Sequence, residues 1–387
     1  MFARRTNWNL VHNRLSETHD KARAAGRRIL DLSASNPTTV GLAYNEGAIL
    51  AAFQNKNSLL YEPVAQGLLS ARRAVAAYYR EHDGLAVSPE RVVLTTSTSE
   101  AYSFIFRLLC DPGDEVLVPA PSYPLFDFLA DLQDVKLVPY PLLYDDGWQV
   151  DLHGVQQALT PRTRAVLVVH PNNPTGSFIK PAELDALNKV CAPQDIAIVA
   201  DEVFLDFALD GSSRQSFAAN QSALTFTLSG LSKISGLPQM KVAWTVVTGP
   251  EQVVSNAMAR LEVIADTYLS MSTPVQLAVP VLLEQRHSIQ RQLMGRVRKN
   301  LHELDRQLSS QEKCARLELE GGWYALLRVP ATRSDEDLAI ELLERESVLV
   351  HPGHFYDFPQ DGYLVLSLIT QPEEFGEGLG RIWKTIP

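Results

Sequence analysis

Between about residues 90 and 250 the chain repeats one pattern: a short apolar, β-branched run, a polar turn, then a stretch with helical periodicity. The runs are Arg91 to Thr95, Glu115 to Val118, Val135 to Val138, Ala165 to Val169, Ile196 to Ala200, Leu224 to Leu228 and Trp244 to Val247. Runs that are apolar on both faces predict strands covered on both sides, mostly parallel. Seven of them alternating with helices predict an α/β domain built on one sheet with helices over it.

After residue 270 the pattern changes. Leu282, Ile289, Leu293, Val297, Leu301, Leu304 and Leu308 recur at steps of three, four and seven in a charged background, which predicts one long amphipathic helix. Strand-like stretches follow at Ala315 to Leu319 and Tyr324 to Val329. Ser334 with Asp337 three residues on marks a helix start, and further strands are expected at Val348 to Val350 and Tyr363 to Leu368. This reads as a smaller α+β unit.

Composition narrows the partners. Over 387 residues, 35 Lys and Arg against 45 Asp and Glu give a net charge of −10, so no overall basic field exists to attract nucleic acid or anionic lipid. No run approaches the ~18 apolar residues of a membrane span, and no apolar segment follows the basic start as in a signal peptide. Cys110, Cys191 and Cys314 are scattered singly, which argues against a disulfide framework or a structural metal site and for a reducing, cytoplasmic setting.

Four segments carry candidate chemistry, each at the carboxyl end of an expected strand, where open α/β sheets bind ligands. Thr95 to Ala101 packs hydroxyls before a helix, suited to a phosphate or to an ordinary N-cap. Pro171-Asn172-Asn173-Pro174-Thr175-Gly176 is a turn after a buried strand. Asp201-Glu202 puts two acids at a strand end, and Ser229 to Pro238 sets Lys233 among small residues. A carboxylate at such an edge is well placed to meet a cationic ring, and a lysine gains significance only beside the other three.

In combination, N-P-T-G, then D-E about 28 residues on, then S-K-x-x-G-L-P about 32 further, resembles the fold-type I pyridoxal phosphate enzymes, specifically the class I and II aminotransferases. The resemblance runs from Tyr61 to the strand at Tyr363. It implies a large cofactor domain over 45–270 and a smaller one formed from 1–44 and 271–387. It also implies that Lys233 is the Schiff-base lysine, which moves the proton at the substrate Cα as a neutral amine. Asp201 would pair with the pyridinium nitrogen, Asn173 would donate to the phenolic oxygen, and Tyr123 would stack on the ring. Ser97, Thr98, Ser232 and Lys241 would hold the phosphate. Tyr61 would reach the phosphate of a neighbouring subunit, which implies a homodimer.

Four positions depart from the family pattern. Gly230 stands where a serine lies three residues before the lysine, with Ser229 and Ser232 on either side. Lys241 stands where an arginine commonly clamps the phosphate, which keeps charge but loses the bidentate fork. Phe204 replaces a tyrosine that donates to the phenolic oxygen. Val365, two residues before Ser367, stands where an arginine binds the substrate α-carboxylate, and strand alternation puts 365 and 367 on one face. Either the carboxylate is held by Lys241, His351 or His354, or the donor lacks one there. Ser35, His354 and Phe204 are the candidate substrate contacts, and Phe204, Trp323 and Phe355 favour an apolar or aromatic side chain.

The activity expected is amino transfer from an amino acid to a 2-oxo acid. Two competitors share the cofactor fold: a C–S β-lyase or decarboxylase, and a non-catalytic binding protein. The second is disfavoured because Lys233, Asp201 and Asn173 are all present.

Overall fold

The computed structural model describes residues 1–124, 126–210 and 214–386. The strands in chain order are β1 (Leu30–Asp31), β2 (Val92–Thr95), β3 (Glu115–Ala120), β4 (Lys136–Tyr144), β5 (Trp148–Val150), β6 (Thr163–Val169), β7 (Ala197–Asp201), β8 (Thr225–Gly230), β9 (Ala243–Thr248), β10 (Ala315–Arg316), β11 (Tyr324–Arg328), β12 (Val348–Leu349), β13 (His351–Pro352) and β14 (Tyr363–Ser367). One sheet runs β2-β9-β8-β7-β6-β3-β4-β5, and a second, of four strands, runs β10-β11-β14-β13.

All seven expected strands lie in the large sheet, and β5 is an eighth. The third run continues as β4 to Tyr144, then reverses at Asp146 and Gly147, both with positive φ, to pair antiparallel as β5. Only β9 and β5 oppose the common direction. Thr95 and Gly230 both face Ala243 in register, and Asp201 faces Leu228 on one side and Val169 on the other. The segments after β2, β3, β6, β7 and β8 therefore emerge along one edge of the sheet.

Both faces are covered, as the apolar runs require. Val116, Val118, Leu167, Val199 and Phe226 pack with Thr98–Leu109 and Glu251–Tyr268. Leu94, Trp244 and Val246 pack with Leu69–Asp83 and Thr273–Glu284. The single long helix expected after residue 270 is instead interrupted at Gln285. Leu282 belongs to Thr273–Glu284, whereas Ile289 to Leu308 lie on Arg286–Leu308. The leucine spacing runs on through the break because both helices bury one stripe, so periodicity alone does not register it. Thr273–Glu284 packs on Leu69–Asp83.

The smaller sheet is clamped to the start of the chain. Ser367 N donates to Leu32 O at 2.6 Å and Ser367 Oγ to Ala34 O. Asn300, fully buried, donates from Nδ2 to Leu368 O and Thr370 O at 2.9 and 2.8 Å. These bonds satisfy strand-end carbonyls that would otherwise be buried unpaired. The Ser334 cap forms as expected, its Oγ accepting from Asp337 N at 3.1 Å.

Candidate active site

Lys233 sits on a one-turn helix, Leu231–Ile234, held from several sides. Leu231 N donates to Val242 O, Tyr44 Oη to Gly236 O and Gln290 Nε2 to Ile234 O. Gly230, where the family carries serine, is extended, and a Cβ there would stand 2.8 Å from Val242 O. Backbone crowding against β9 thus excludes a side chain at that position. Lys233 Nζ lies 5.1 Å from the Trp323 ring centroid and 5.5 Å from that of Phe204. Burial disfavours the ammonium and pulls the amine down to about 8, while the Asp201 charge works the other way.

The two acids after β7 divide. Asp201 is buried and accepts Val203 N–H on Oδ1 at 3.1 Å and the Tyr102 hydroxyl on Oδ2 at 2.9 Å. Burial raises its pKa, and these two bonds and the charge of Lys233 oppose the rise. Glu202 turns to the backbone instead, accepting Phe217 N at 2.6 Å and Ser216 Oγ at 2.7 Å, with burial pushing its pKa up to about 8. It ties down the 216–219 turn.

Asn173 is buried, and its Oδ1 has no hydrogen-bond partner among the described residues. Its turn is fixed by Asn172, which accepts from Thr175 Oγ1 at 3.0 Å and Gly176 N at 2.8 Å. Gly176 has φ +70°, and a Cβ there would meet Leu319 Cδ1 at 2.1 Å and Gly321 O at 2.5 Å. Gly176→Ala is expected to lose about 2–5 kcal/mol from combined backbone strain and overpacking. A urea melt checks this, with a lowered midpoint at unchanged slope.

Ser97 is an N-cap: its Oγ accepts Glu100 N at 3.1 Å. Thr98 opens the helix, and the Thr98 and Ser99 N–H groups have no acceptor among the described residues, which leaves the anion-favouring end of the helix free. Ser232 is half-buried, in the turn beside Lys233. Lys241 is exposed at a left-handed position, φ 53°. Tyr123 is 40% exposed, with its ring edge-on to Phe126 at 6.2 Å, and the nearby Asp201 charge adds to burial in raising its pKa.

Tyr61 is 79% exposed and lies in a surface groove with Val64, Phe104, Leu269, Ser270 and Met271. That groove adjoins the helix Thr98–Leu109, since Ser270 Oγ donates to Glu100 Oε2 at 2.9 Å.

The smaller sheet supplies the opposite wall. Phe204 is buried edge-on to Trp323 at 5.1 Å and to Tyr324 at 6.3 Å. Ser35 is hydrogen-bonded to Tyr324. Val365 is buried and stands directly opposite His351 in register. His351 is half-buried, with Nδ1 3.0 Å from Tyr356 Oη, and burial lowers its pKa. His354 is exposed, edge-on to Phe355 at 4.7 Å, so the residue beside Val365 is His351.

Sequence reasoning missed Tyr102, Tyr324 and Tyr356. Each occupies an ordinary core position of its element, and only contacts across elements distinguish it from packing.

Comparison with known proteins fits this geometry. The family model for aminotransferase class I and II matches residues 27–382. A glutamate-pyruvate aminotransferase from Haemophilus influenzae is 27% identical over 366 residues, covering 92% of this chain and 91% of that one. An alanine aminotransferase from Mycobacterium bovis is 28% identical over 367 residues, covering 93% and 86%. The solved structure of alanine aminotransferase from Pyrococcus furiosus superimposes with a TM-score of 0.90 at 22% identity, covering 100% of this chain and 99% of that one.

The chain belongs to the class I and II aminotransferases. It is a pyridoxal phosphate-dependent aminotransferase, acting on amino acids and oxo acids; the lyase, decarboxylase and non-catalytic readings are not favoured. The residues present fit that cofactor. A buried carboxylate, an amine whose pKa burial lowers, and helix N–H groups that have no acceptor among the described residues line one sheet edge. Among the described residues no helix is long and apolar enough to cross a membrane.

Proposed function

We propose that this chain transfers amino groups between 2-amino acids with small or apolar side chains and their 2-oxo acids, using Lys233 as its proton-moving base. The carrying observation is the wall of Phe204 and Trp323 within 5.1–5.5 Å of Lys233 Nζ. Such a wall favours apolar groups over a second carboxylate. The relative named alanine aminotransferase supports the same size class, and the one named glutamate-pyruvate aminotransferase pairs a small partner, pyruvate, with an acidic one.

In this reading Asp201 holds the cofactor's ring nitrogen and Asn173 its phenolic oxygen. Tyr123 covers the ring, and the loop of Ser97 and Thr98, with Ser232 and Lys241, takes the phosphate. Bound there, pyridoxal phosphate supplies an aldehyde for amines and an electron-withdrawing ring. Lys233, neutral in part near its pKa of about 8, takes the proton from the substrate Cα. With Val365 contributing no charge, the α-carboxylate is met by the polar corner of Ser35, Tyr324 and His351. His354 lies outside that corner.

The test is a panel of amino acids added to the holoenzyme, read by conversion of the visible cofactor band to the near-ultraviolet form. Alanine and larger neutral amino acids should convert it faster than aspartate. Conversion by acidic donors alone would overturn the assignment, as would pyruvate and ammonia released without it.

We also assign the working form as a cytoplasmic homodimer in which Tyr61 reaches the partner's phosphate loop. Leu59, Leu60, Tyr61, Tyr268 and Leu269 leave apolar surface exposed beside the Tyr61 groove, of the kind that marks an interface. The three free cysteines suit a reducing compartment. Sedimentation velocity should give twice the chain mass, and Tyr61→Phe should weaken cofactor retention about tenfold through loss of a charge-assisted hydrogen bond. A monomer at working concentration would refute the dimer.

A further inference from the structure

We propose that Tyr102 is a positioning residue for the cofactor: its hydroxyl fixes the orientation of the Asp201 carboxylate, and its helix locks that carboxylate to the phosphate loop. The inference rests on the assignment of Asp201 to the ring nitrogen.

Tyr102 lies on Thr98–Leu109, five residues past the Ser97 cap and about 7.5 Å along the helix axis. Its aromatic neighbours Phe106 and Phe126, at ring distances of 6.0 and 5.3 Å, have no hydroxyl. A phenylalanine would fill the same volume. The oxygen is spent on one contact, the 2.9 Å bond to Asp201 Oδ2, in a site where both residues are buried. An unpaired hydroxyl there would be costly, so the contact is the reason a tyrosine fits.

The two donors to Asp201 reach different oxygens from different elements. Val203 N–H, on the loop after β7, takes Oδ1, and Tyr102 takes Oδ2. One donor leaves a carboxylate free to rotate about its Cβ–Cγ bond; two on opposite oxygens set its plane. Burial and the adjoining negative charge keep the phenol protonated well above 10, so it donates throughout the working pH range.

Phe126 extends the link. It stands edge-on to Tyr102 on one side and to Tyr123 on the other. One helix thus carries the phosphate-facing N–H groups at its start and, a turn later, the side chain that sets the carboxylate. A shift at either end of the cofactor site is felt at the other.

The test is a double-mutant cycle on the full chain with Tyr102→Phe and Asp201→Asn. The readouts are the pyridoxal phosphate dissociation constant, measured by quenching of tryptophan fluorescence, and kcat apart from KM. Tyr102→Phe should weaken cofactor binding about tenfold or more, the scale of a hydrogen bond to a charged group, and lower kcat with KM little changed. In the Asp201→Asn background the same substitution should cost under about threefold, because the charge it serves is gone.

Equal losses in both backgrounds, or wild-type affinity and kcat in Tyr102→Phe, would overturn the inference. Wild-type affinity in Asp201→Asn would overturn the assignment of Asp201 itself, and the inference with it. Circular dichroism and a thermal melt of each apo variant separate these outcomes from misfolding.

Discussion

Lys233→Ala is expected to lower kcat by at least about 10⁴-fold and to remove the visible band of the bound cofactor, because one amine serves as both the covalent anchor and the proton carrier. An ordinary lysine is a poor base near neutral pH: with a pKa of 10.5, roughly 0.3% is neutral at pH 8. Burial beside Phe204 and Trp323 pulls Lys233 to about 8, so about half is neutral there. Capture of pyridoxal phosphate by the apo-protein should therefore rise with pH through about 8 and level off, and Lys233→Ala should remove that phase. A capture rate still climbing steeply at pH 10 would show the amine to be ordinary.

Asp201→Asn is expected to cost about 10²–10³-fold in kcat/KM, in line with the loss of one partner from a buried ion pair. The substitution keeps shape, and the amide oxygen can still accept from Tyr102 or Val203, so the thermal midpoint of the apo-protein should change little. A second consequence follows from charge. Asp201 now opposes the downward shift of Lys233; with an amide in its place, the apo-protein's capture phase should move to lower pH. A phase that moves up or stays would break the electrostatic link between the two residues.

The site motifs were legible along the chain because each is local. The N-P-T-G turn, the acid at the end of β7 and the lysine after β8 each follow a buried strand, and the hydrophobic pattern locates the strands. Strand β5 and the break at Gln285 were not legible, since a three-residue reversal and a continuing apolar stripe leave little trace in periodicity. Asp201 and Glu202 look alike in sequence. Their neighbours separate them: Tyr102 and Lys233 attend the first, whereas Ser216 and Phe217 bind the second.

By itself the sequence determined the strand and helix alternation, the turns that follow the buried strands and the apolar residue at Val365, because strand burial, turn chemistry and residue type are carried by short segments. Only the tertiary structure decided which groups meet. It joined Tyr102 to Asp201 across 99 positions, set His351 rather than His354 opposite Val365, and left Gly230 no room for a side chain. Those outcomes depend on sheet register and on the packing of distant elements, which no local pattern encodes.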